Sequence, residues 1–320
     1  KADLRSKVGE VRNLESGLRD AGREGNTLAK SIAAAYQKFG GWMLVTQSLT
    51  KVIGGLKQMV ENIKQIDLAM TELKKVTNET DATYDQFLRN AMVRAAHLGS
   101  TVSDVISAAA EFSKLGHTIE DATKLADAAL VYKNVGDGID DISVASQSII
   151  STMQAFGYNA NDAMLIVDKF NHIANRYAVD SAGLGESLMR SASAMASANN
   201  TLDETIALTT AANTILQDPQ VVGTTMKTLS MYLRAAKTEA EEAGESTDGM
   251  ASSVSELRDE ILALTGGAVD IMLDEDSFKS SYQILKELSQ IWGELTDVSQ
   301  ANILEMIGGR SLPRCTVMCI

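Results

Sequence analysis

The amino-acid sequence predicts an all-α protein, an elongated array of antiparallel helical hairpins preceded by a long amphipathic or coiled-coil helix. Three observations predict this fold class. The 320 residues contain only two prolines, and proline is the residue that most strongly disrupts a helix. Aromatic residues make up 5% of the chain against 45% for all hydrophobic residues, so Ala, Leu, Ile and Met must fill the core. Helix-capping patterns also recur at intervals of about 20 residues.

The first segment, residues 1–77, is predicted to be basic and helical. Residues 1–75 carry thirteen Lys and Arg against eight Asp and Glu. An amphipathic stripe predicts one long helix from about residue 42 to residue 77, and the Gly54-Gly55 pair within it indicates either a bend or the close approach of another helix. Nearer the start, the apolar residues have the spacing of a coiled-coil seam: Leu4, Val8, Val11 and Leu18.

The second segment, residues 78–240, is predicted to be a core of short helices. A Gly or Asn that can end one helix is followed by a Ser, Thr, Asp or Asn that can cap the next, with an acidic residue about three positions later. Gly116 and Gly157 occupy the same position in this pattern, so a helical hairpin of about forty residues is the candidate repeated unit. The pattern occurs in five stretches: Leu98–Asp104, Leu115–Asp121, Gly136–Asp141, Phe156–Asp162 and Asn199–Glu204.

The third segment, residues 241–309, is predicted to be an acidic linker with a helical extension. The helix before it should begin at Pro219 and run to about residue 242. The acidic stretch Glu239–Gly249 contains two glycines, which predicts a flexible surface loop or linker. Between two later helices, Gly266–Leu273 is compatible with an extended turn or a short strand. The later helices are predicted over residues 252–264, over residues 278–294, and from Asp297, as N-cap, to Met306.

The last segment, residues 310–320, is predicted to be an atypical tail. Both cysteines, Cys315 and Cys319, lie in it, so disulfides are not expected to stabilise the helical part of the chain. No second cysteine pair or nearby histidine completes a zinc site. Because the chain also starts at Lys1, without Met or a signal-peptide pattern, we expect a fragment whose end reflects a truncated gene or a shifted reading frame.

The charge distribution argues against nucleic-acid recognition. The net charge is −13, and residues 237–305 carry four Lys and Arg against sixteen Asp and Glu. An acidic surface repels phosphates, and no aromatic residues alternate with the basic residues near the start.

A membrane span is not expected either. The most apolar stretch, Trp42 to Val60, is interrupted by Lys51 and Lys57 and falls short of the roughly 20 apolar residues that a span needs.

Candidate chemical groups are few, and we expect no catalytic, cofactor-binding or metal-binding residue. None of the three histidines has a second ligand at helical metal-site spacing. Gly183-Leu-Gly185 lacks the lysine and preceding strand of a phosphate-binding loop and is predicted to be a turn between helices. The acidic runs lie in polar surroundings, which favours solvated charge over acid-base catalysis. The residues weighed are His97, His117 and His172; Asp140-Asp141, Glu241-Glu242 and Asp274-Glu275-Asp276; and Met189, Met195, Met226 and Met231 as core residues.

Three stretches in order resemble the core region of phage tail tape measure proteins. The first is Ile66–Thr77, and the second is Glu111–Ala122 with the alanine-rich helix after it. The third is Asn199–Leu208, which leads to the Gly-Thr step and Leu-containing helix of Val222–Leu229. The resemblance covers about residues 66–308 and ends where the chain departs from the family pattern at Arg310.

The resemblance implies a structural protein of a phage or prophage tail. Several copies would run inside the tail tube, set tail length as a ruler, act as a scaffold for tube assembly, and leave ahead of DNA at ejection. The implied partners are the tail tube protein, the tail assembly chaperones, the tail tip or distal tail proteins, and other copies of the chain. Assembly would take place in the cytoplasm of the bacterial host, and the membrane would be contacted only at ejection.

Two other functional classes stay open from the sequence. The amphipathic helices are equally compatible with a bacterial helical adaptor or a secreted coiled-coil effector that binds protein partners. An enzyme, such as a helical lyase or a cell-wall hydrolase, is suggested only by the acidic runs that contain Asp140 and Asp274. The ordered motifs and the scarcity of catalytic groups favour the tail protein.

Overall fold

The all-α fold class is confirmed by a computed structural model, which describes residues 49–309 and the side chains from residue 58 onward. In this part of the chain the structure contains thirteen α-helices, two short 3-10 helices and no strand. An isolated antiparallel bridge joins Met272 to Phe278, so Gly266–Leu273 contains a turn and one bridge residue, Met272, and no strand. The coiled-coil seam at Leu4–Leu18 and the tail at 310–320 lie outside the described residues.

Two compact units divide the chain between Ile119 and Glu120. In the first unit, α1 (Leu49–Val76), α2 (Asp81–Leu98) and α3 (Val102–Ser113) pack together, with the closest packing between α1 and α3. Helix α1 continues without a break through Gly54-Gly55. The turn after it is held by Tyr84, whose hydroxyl donates to the Thr77 carbonyl oxygen at 3.2 Å and accepts from the Glu79 amide at 3.2 Å.

The second unit contains the other ten α-helices. Buried residues between Met195 and Ile307 form a main cluster that includes residues from both sides of position 240. The later part of the predicted segment 78–240 therefore shares a core with the segment 241–309. The helices are α4 (Ile119–Val135), α5 (Ile142–Phe156), α6 (Ala163–Ala174), α7 (Ser181–Ser197), α8 (Leu202–Leu216), α9 (Pro219–Tyr232), α10 (Lys237–Glu242), α11 (Val254–Leu264), α12 (Ser281–Ile291) and α13 (Asp297–Gly308). The 3-10 helices are Ala160–Asp162 and Trp292–Glu294.

The predicted capping pattern is confirmed at four of the five stretches, and at Leu115–Asp121 the structure shows the glycine of the pattern in the left-handed conformation. Gly99 and Gly157 end α2 and α5 in the left-handed conformation, with φ of 64° and 70°, which glycine adopts without steric cost. Thr201 caps α8, accepting from the Glu204 amide at 3.2 Å, while its own amide donates to the Glu204 carboxylate at 2.8 Å. The other stretches place Thr101 and Asp141 as N-caps of α3 and α5, Gly116 at φ 89° before α4, and Asn159 as the cap before α6.

Antiparallel hairpins are confirmed at α7, α8 and α9. The first turn of α9 lies against the first turns of α7, because the Ser187 hydroxyl donates to the Pro219 carbonyl oxygen at 2.9 Å. Its last turns lie against the end of α7, because the Ser230 hydroxyl donates to the Met195 sulfur at 2.8 Å. Helices α7 and α9 are therefore parallel, and α8, which links the end of one to the start of the other, runs antiparallel to both.

The prediction of a single helix over residues 219–242 is wrong. The structure breaks it into α9 and α10, with Ala235 at a φ of 48° between them. The Ala236 amide bonds back to the Met231 carbonyl oxygen at 3.0 Å and the Ala235 amide to that of Tyr232 at 3.0 Å, the double bond pattern that commonly ends a helix. The reason is tertiary, because the turn places Ala240 and Met250 against Tyr232 in a small buried cluster.

Two smaller corrections concern residues after the break. The stretch Glu239–Gly249 was predicted to be flexible, but its start belongs to α10 and Glu245 pairs with Lys227 at 2.9 Å. Asp297 was predicted to be the N-cap of the last helix, but Thr296 occupies that position and accepts from the Ser299 amide at 3.2 Å. Threonine precedes the aspartate, so the acidic residue falls in the first turn, where its charge favours the helix dipole.

Candidate functional site

The closest packing of the second unit occurs where α7 lies between α5 and α9. We call this contact the small-residue seam, and it is lined by Ser148, Gly183, Gly185, Ser187 and Gly223. A Cβ atom on Gly223 would lie 2.7 Å from the Ser187 carbonyl oxygen, and one on Gly183 would lie 2.8 Å from Pro219 Cγ. Real Cβ atoms do not approach other atoms this closely, so glycine at these positions sets the distance between α7 and α9.

Tyr132 closes one end of the small-residue seam. A Cβ atom on Gly185 would lie 2.9 Å from the Tyr132 hydroxyl and 2.7 Å from the Ser148 hydroxyl. The Tyr132 hydroxyl donates to the Ser181 carbonyl oxygen at 2.6 Å, and its ring lies 5.5 Å from that of Phe170. Burial raises the pKa of Tyr132, and the charge of Asp180 raises it further. The tyrosine is therefore a neutral donor that anchors α4 to the start of α7.

Several hydroxyl groups in and beside the seam bond to carbonyl oxygens of their own helices. Ser191 donates to the Ser187 carbonyl oxygen at 2.8 Å, and Thr152 donates to that of Ser148 at 2.8 Å. Ser230 donates to the Met226 carbonyl oxygen at 2.9 Å in addition to its contact with Met195. Bonds of this kind satisfy a buried hydroxyl without a ligand. The seam is thus a packing site whose polar groups serve the fold.

The prediction that Gly183-Leu-Gly185 forms a turn between helices is wrong. Both glycines lie in the first turns of α7, and the segment is buried. Glycine weakens a helix by about 1 kcal/mol relative to alanine, a cost offset here by the close contact of α7 with α5 and α9. Sequence reasoning missed this role because the two helices that the glycines face lie more than thirty residues away along the chain.

The three histidines lie apart from the seam and from one another in the chain. His97 and His172 are exposed, and His117 is half-buried. His172 contacts the Arg176 guanidinium, four residues later on the surface of the protein. Within residues 58–309, no group of three or more His, Cys, Asp and Glu side chains is placed to hold a metal ion.

The acidic runs are all exposed, as the sequence predicts for solvated charge. Asp140 and Asp141 lie before α5, where Asp141 accepts from the Ser143 amide at 2.8 Å as an N-cap. Hydrogen bonds from the Asp276 amide and from Ser277 lower the pKa of Asp274. A general acid needs the opposite change, because its proton must stay bound near neutral pH. Glu241 and Glu242 are likewise exposed at the end of α10.

The four methionines weighed as core residues divide into two pairs. Met195 and Met226 are fully buried in the main cluster, which confirms the prediction for them. Met189 and Met231 are half-buried, and Met231 packs against Tyr232, Ala240 and Met250. The thioether side chains therefore fill the space between α7 and α9 that small residues leave.

The surface of the second unit is strongly acidic. Residues 120–309 carry eleven Lys and Arg against twenty-nine Asp and Glu. Such a surface repels nucleic-acid phosphates. None of the described helices is long and apolar enough to cross a membrane.

A sequence model of the phage-related minor tail proteins matches residues 89–309. The match covers more than half of the chain. The chain belongs to this family. No solved structure matches the chain. The phage-related minor tail protein match begins within α2 and ends at Gly309, the residue that caps α13. It therefore includes the small-residue seam and the described residues of the second unit.

Family membership makes the chain a structural component of phage tails, associated with other tail components and with the virion. This agrees with the geometry of the seam, where small residues let three helices pack closely. What sequence reasoning missed was the partner of each glycine. The available signal was the group of Gly and Ser residues between Ser181 and Ser191, because small residues let helices approach closely.

Proposed function

We propose that this phage-related minor tail protein is part of a tail tape measure protein, which sets tail length and acts as a scaffold for the tail tube. The ordered stretches at Ile66–Thr77, Glu111–Ala122 and Asn199–Leu229, all within an all-α chain of this family, carry the proposal. Membership of a phage tail family favours this function over the adaptor or secreted effector. The protein would leave the tail ahead of DNA at ejection.

A ruler function has a simple physical basis in helical sequence. A continuous helix advances 1.5 Å per residue, so 320 residues would span roughly 480 Å as one helix. In the fold, α8 runs back along α7 and α9. This region therefore reaches its full helical length only if these helices separate. The small-residue seam is the contact that such a separation must break.

The proposal also includes partners and a non-enzymatic role. Several copies would lie inside the tail tube and contact the tail tube protein, the tail assembly chaperones and the tail tip or distal tail proteins. Contact with the membrane would occur only at ejection, and assembly would take place in the host cytoplasm. The exposed acidic runs and the packing role of the seam favour a structural protein without catalytic, cofactor or metal sites.

Tail length in the complete phage is the measurement that tests the proposal. We expect an in-frame deletion of residues 117–157, the candidate repeated unit, to shorten the tail by up to about 60 Å, because a ruler loses 1.5 Å for each helical residue removed. Electron microscopy of purified particles gives the tail length. Intact particles with unchanged tail length would place this region outside the measured span and contradict the proposal for it.

A matched control distinguishes the effect of a shorter chain from the effect of a disrupted fold. The substitution Gly223→Leu keeps the number of residues but drives a side chain into the Ser187 backbone of α7. If the chain acts as a ruler, this variant should give tails of normal length, even with fewer assembled particles. Shortened tails in both variants would mean that loss of the folded unit, and not loss of length, causes the change.

A further inference from the structure

The break between α9 and α10 has no cause in the local sequence. Residues 224–243 contain no glycine or proline, and the break falls on Arg234-Ala-Ala-Lys237, four residues with high helix propensity. Ala235 has a φ of 48°, a conformation that side-chain-bearing residues disfavour because Cβ approaches the following carbonyl oxygen. Something outside the segment must therefore hold the chain in the bent form.

Polar contacts between α9 and the loop after α10 supply the first part of that restraint. Glu245 accepts from the Lys227 ammonium at 2.9 Å and from the Thr228 hydroxyl at 3.4 Å. The side chains of this ion pair are only 24% and 20% exposed, so water weakens it less than an open surface pair. Tyr232 adds a hydroxyl bonded to the carbonyl oxygens of Ser246 at 2.9 Å and Asp248 at 3.1 Å.

Apolar contacts supply the second part. Tyr232, Ala240 and Met250 form a buried cluster separate from the main core, and Met231 packs against it. Ala240 comes from α10 and Met250 from the loop after it, so both reach Tyr232 only when the chain bends at Ala235. We call Lys227, Tyr232, Ala240, Glu245 and Met250, with these contacts, the clasp.

We propose that the clasp acts as a latch. Its contacts hold α9 and α10 as two helices with a bend at Ala235, and breaking these contacts joins the two into one helix over residues 219–242. Three observations carry this inference. Ala235 is strained, the residues around it are strong helix formers, and every contact of the clasp is made with a residue of α9. The joined helix of 24 residues would be about 36 Å long. Forming the straight helix requires release of the clasp and of two neighbouring contacts, that of Arg234 with the Phe278 ring and that of Ala235 with the main cluster, whatever the role of the protein in a tail.

A distance measurement on the full chain tests the latch. Spin labels at Val221→Cys and Glu242→Cys, in a background with Cys315→Ser and Cys319→Ser, report the separation of the two ends by pulsed electron resonance. In the joined helix these positions lie about 32 Å apart, and in the bent form they lie closer together. We expect the double variant Tyr232→Phe with Glu245→Gln to raise the ratio of long to short distances at least tenfold.

Two controls separate the latch from general damage. Glu241→Gln removes the same charge from an exposed side chain of α10 and should leave the short distance unchanged. Ala235→Gly, added to the double variant, should restore the short distance, because glycine adopts the bent conformation without strain and disfavours the helix. An unchanged distance in the double variant, or a broad distribution without a gain in far-ultraviolet helical signal, would overturn the proposal.

A second measurement holds even if the double variant fails to fold. In the otherwise native chain, Ala235→Gly should slow hydrogen exchange of the amides in residues 244–250 about fivefold, because it disfavours the straight helix in which these amides are released. If the loop instead opens by local disorder, the added flexibility of glycine speeds exchange. Faster or unchanged exchange would therefore count against the latch.

Discussion

At the scale of single residues, glycines that have no side chain determine how closely the helices of the second unit pack. Gly183, Gly185 and Gly223 each occupy a position where a Cβ atom would come within 3 Å of a neighbouring helix or loop. The Ser191 and Thr152 hydroxyls beside them bond to carbonyl oxygens of their own helices. Contacts made mostly of small, uncharged groups therefore let α5, α7 and α9 pack closely.

Gly223→Ala should destabilise the second unit, although alanine is the better helix former. The gain in helix propensity is about 1 kcal/mol, while overpacking against the Ser187 backbone costs about 1–3 kcal/mol. We expect a net loss of about 1 kcal/mol and a fall of about 2–4 °C in melting temperature. Gly293→Ala, at an exposed position with open space around it, is the control and should not lower the melting temperature by circular dichroism.

Tyr132→Phe should cost about 1–3 kcal/mol, because it leaves the buried Ser181 carbonyl oxygen without its donor. The substitution should also change stability in alkali. Burial raises the pKa of Tyr132 above its ordinary value of 10.0, so the folded state keeps a proton that the unfolded state releases. Its contribution is therefore complete below pH 10 and is lost as the pH rises through and above that value.

Urea unfolding at several pH values measures both effects of Tyr132→Phe. The variant should unfold at lower urea concentration at pH 8 and should lose less stability than the native chain between pH 9 and pH 11. Tyr177→Phe, which removes a hydroxyl from a side chain that is 57% exposed, is the matched control. Equal effects of the two substitutions would show that the Tyr132 hydrogen bond contributes nothing.

At the scale of helices, local sequence determines where most elements begin. The N-caps Thr80, Thr101, Asp141, Thr201 and Ser253 each accept a bond from an amide of the first turn. These amides have no partner within the helix, so the cap residue selects the starting position. The capping pattern is therefore readable without any knowledge of the tertiary fold.

Thr201→Ala tests the contribution of one cap. The substitution removes the bond from the Glu204 amide to the Thr201 hydroxyl and should reduce stability by about 1 kcal/mol. Thr224→Ala, at an exposed position inside α9, makes the same chemical change where alanine is favoured, so stability should stay the same or rise slightly. Chemical denaturation monitored by circular dichroism compares them, and a larger loss for Thr224→Ala would refute the capping assignment.

Helix ends are less predictable than helix starts because some depend on distant contacts. The break at Ala235 lies among strong helix formers and follows from the bonds that Tyr232 and Glu245 make fourteen to eighteen residues along the chain. The glycines of α7 were misread for the same reason, since Gly183 faces Pro219 and Gly185 faces Ser148. Local sequence patterns indicate the helix propensity of a segment, but they do not show which residues pack against it.

At the scale of the whole molecule, the second unit combines a continuous apolar core with a highly acidic surface. The main cluster includes residues from α7 to α13, while residues 120–309 carry twenty-nine acidic and eleven basic side chains. Some charges form pairs, including Lys169 with Asp203 and Arg258 with Asp270. Acidic side chains nevertheless outnumber basic ones by more than two to one, and repulsion among like charges opposes the compact state.

Salt should therefore stabilise the protein. Raising NaCl from 10 mM to 150 mM shortens the screening length from about 30 Å to about 8 Å, which weakens long-range repulsion more than contacts between paired groups. We expect the melting temperature to rise by about 2–4 °C, equivalent to roughly 1 kcal/mol for a unit of this size. KCl at the same concentrations should act equally, and a fall in melting temperature would mean that the ion pairs outweigh the repulsion.

The amino-acid sequence alone predicts the fold class and the starting points of most capped helices, although not those of α7 and α10. These features depend on proline content, apolar periodicity and caps within a few residues of one another. The sequence also contained the ordered stretches that resemble tape measure proteins and that agree with membership of the phage-related minor tail proteins. Only the tertiary structure decided which helices meet, why Gly185 and Gly223 lie inside helices, and why the chain bends at Ala235. The physical reason is that these features depend on contacts between residues far apart in the chain, whose free energies exceed the local preferences they override.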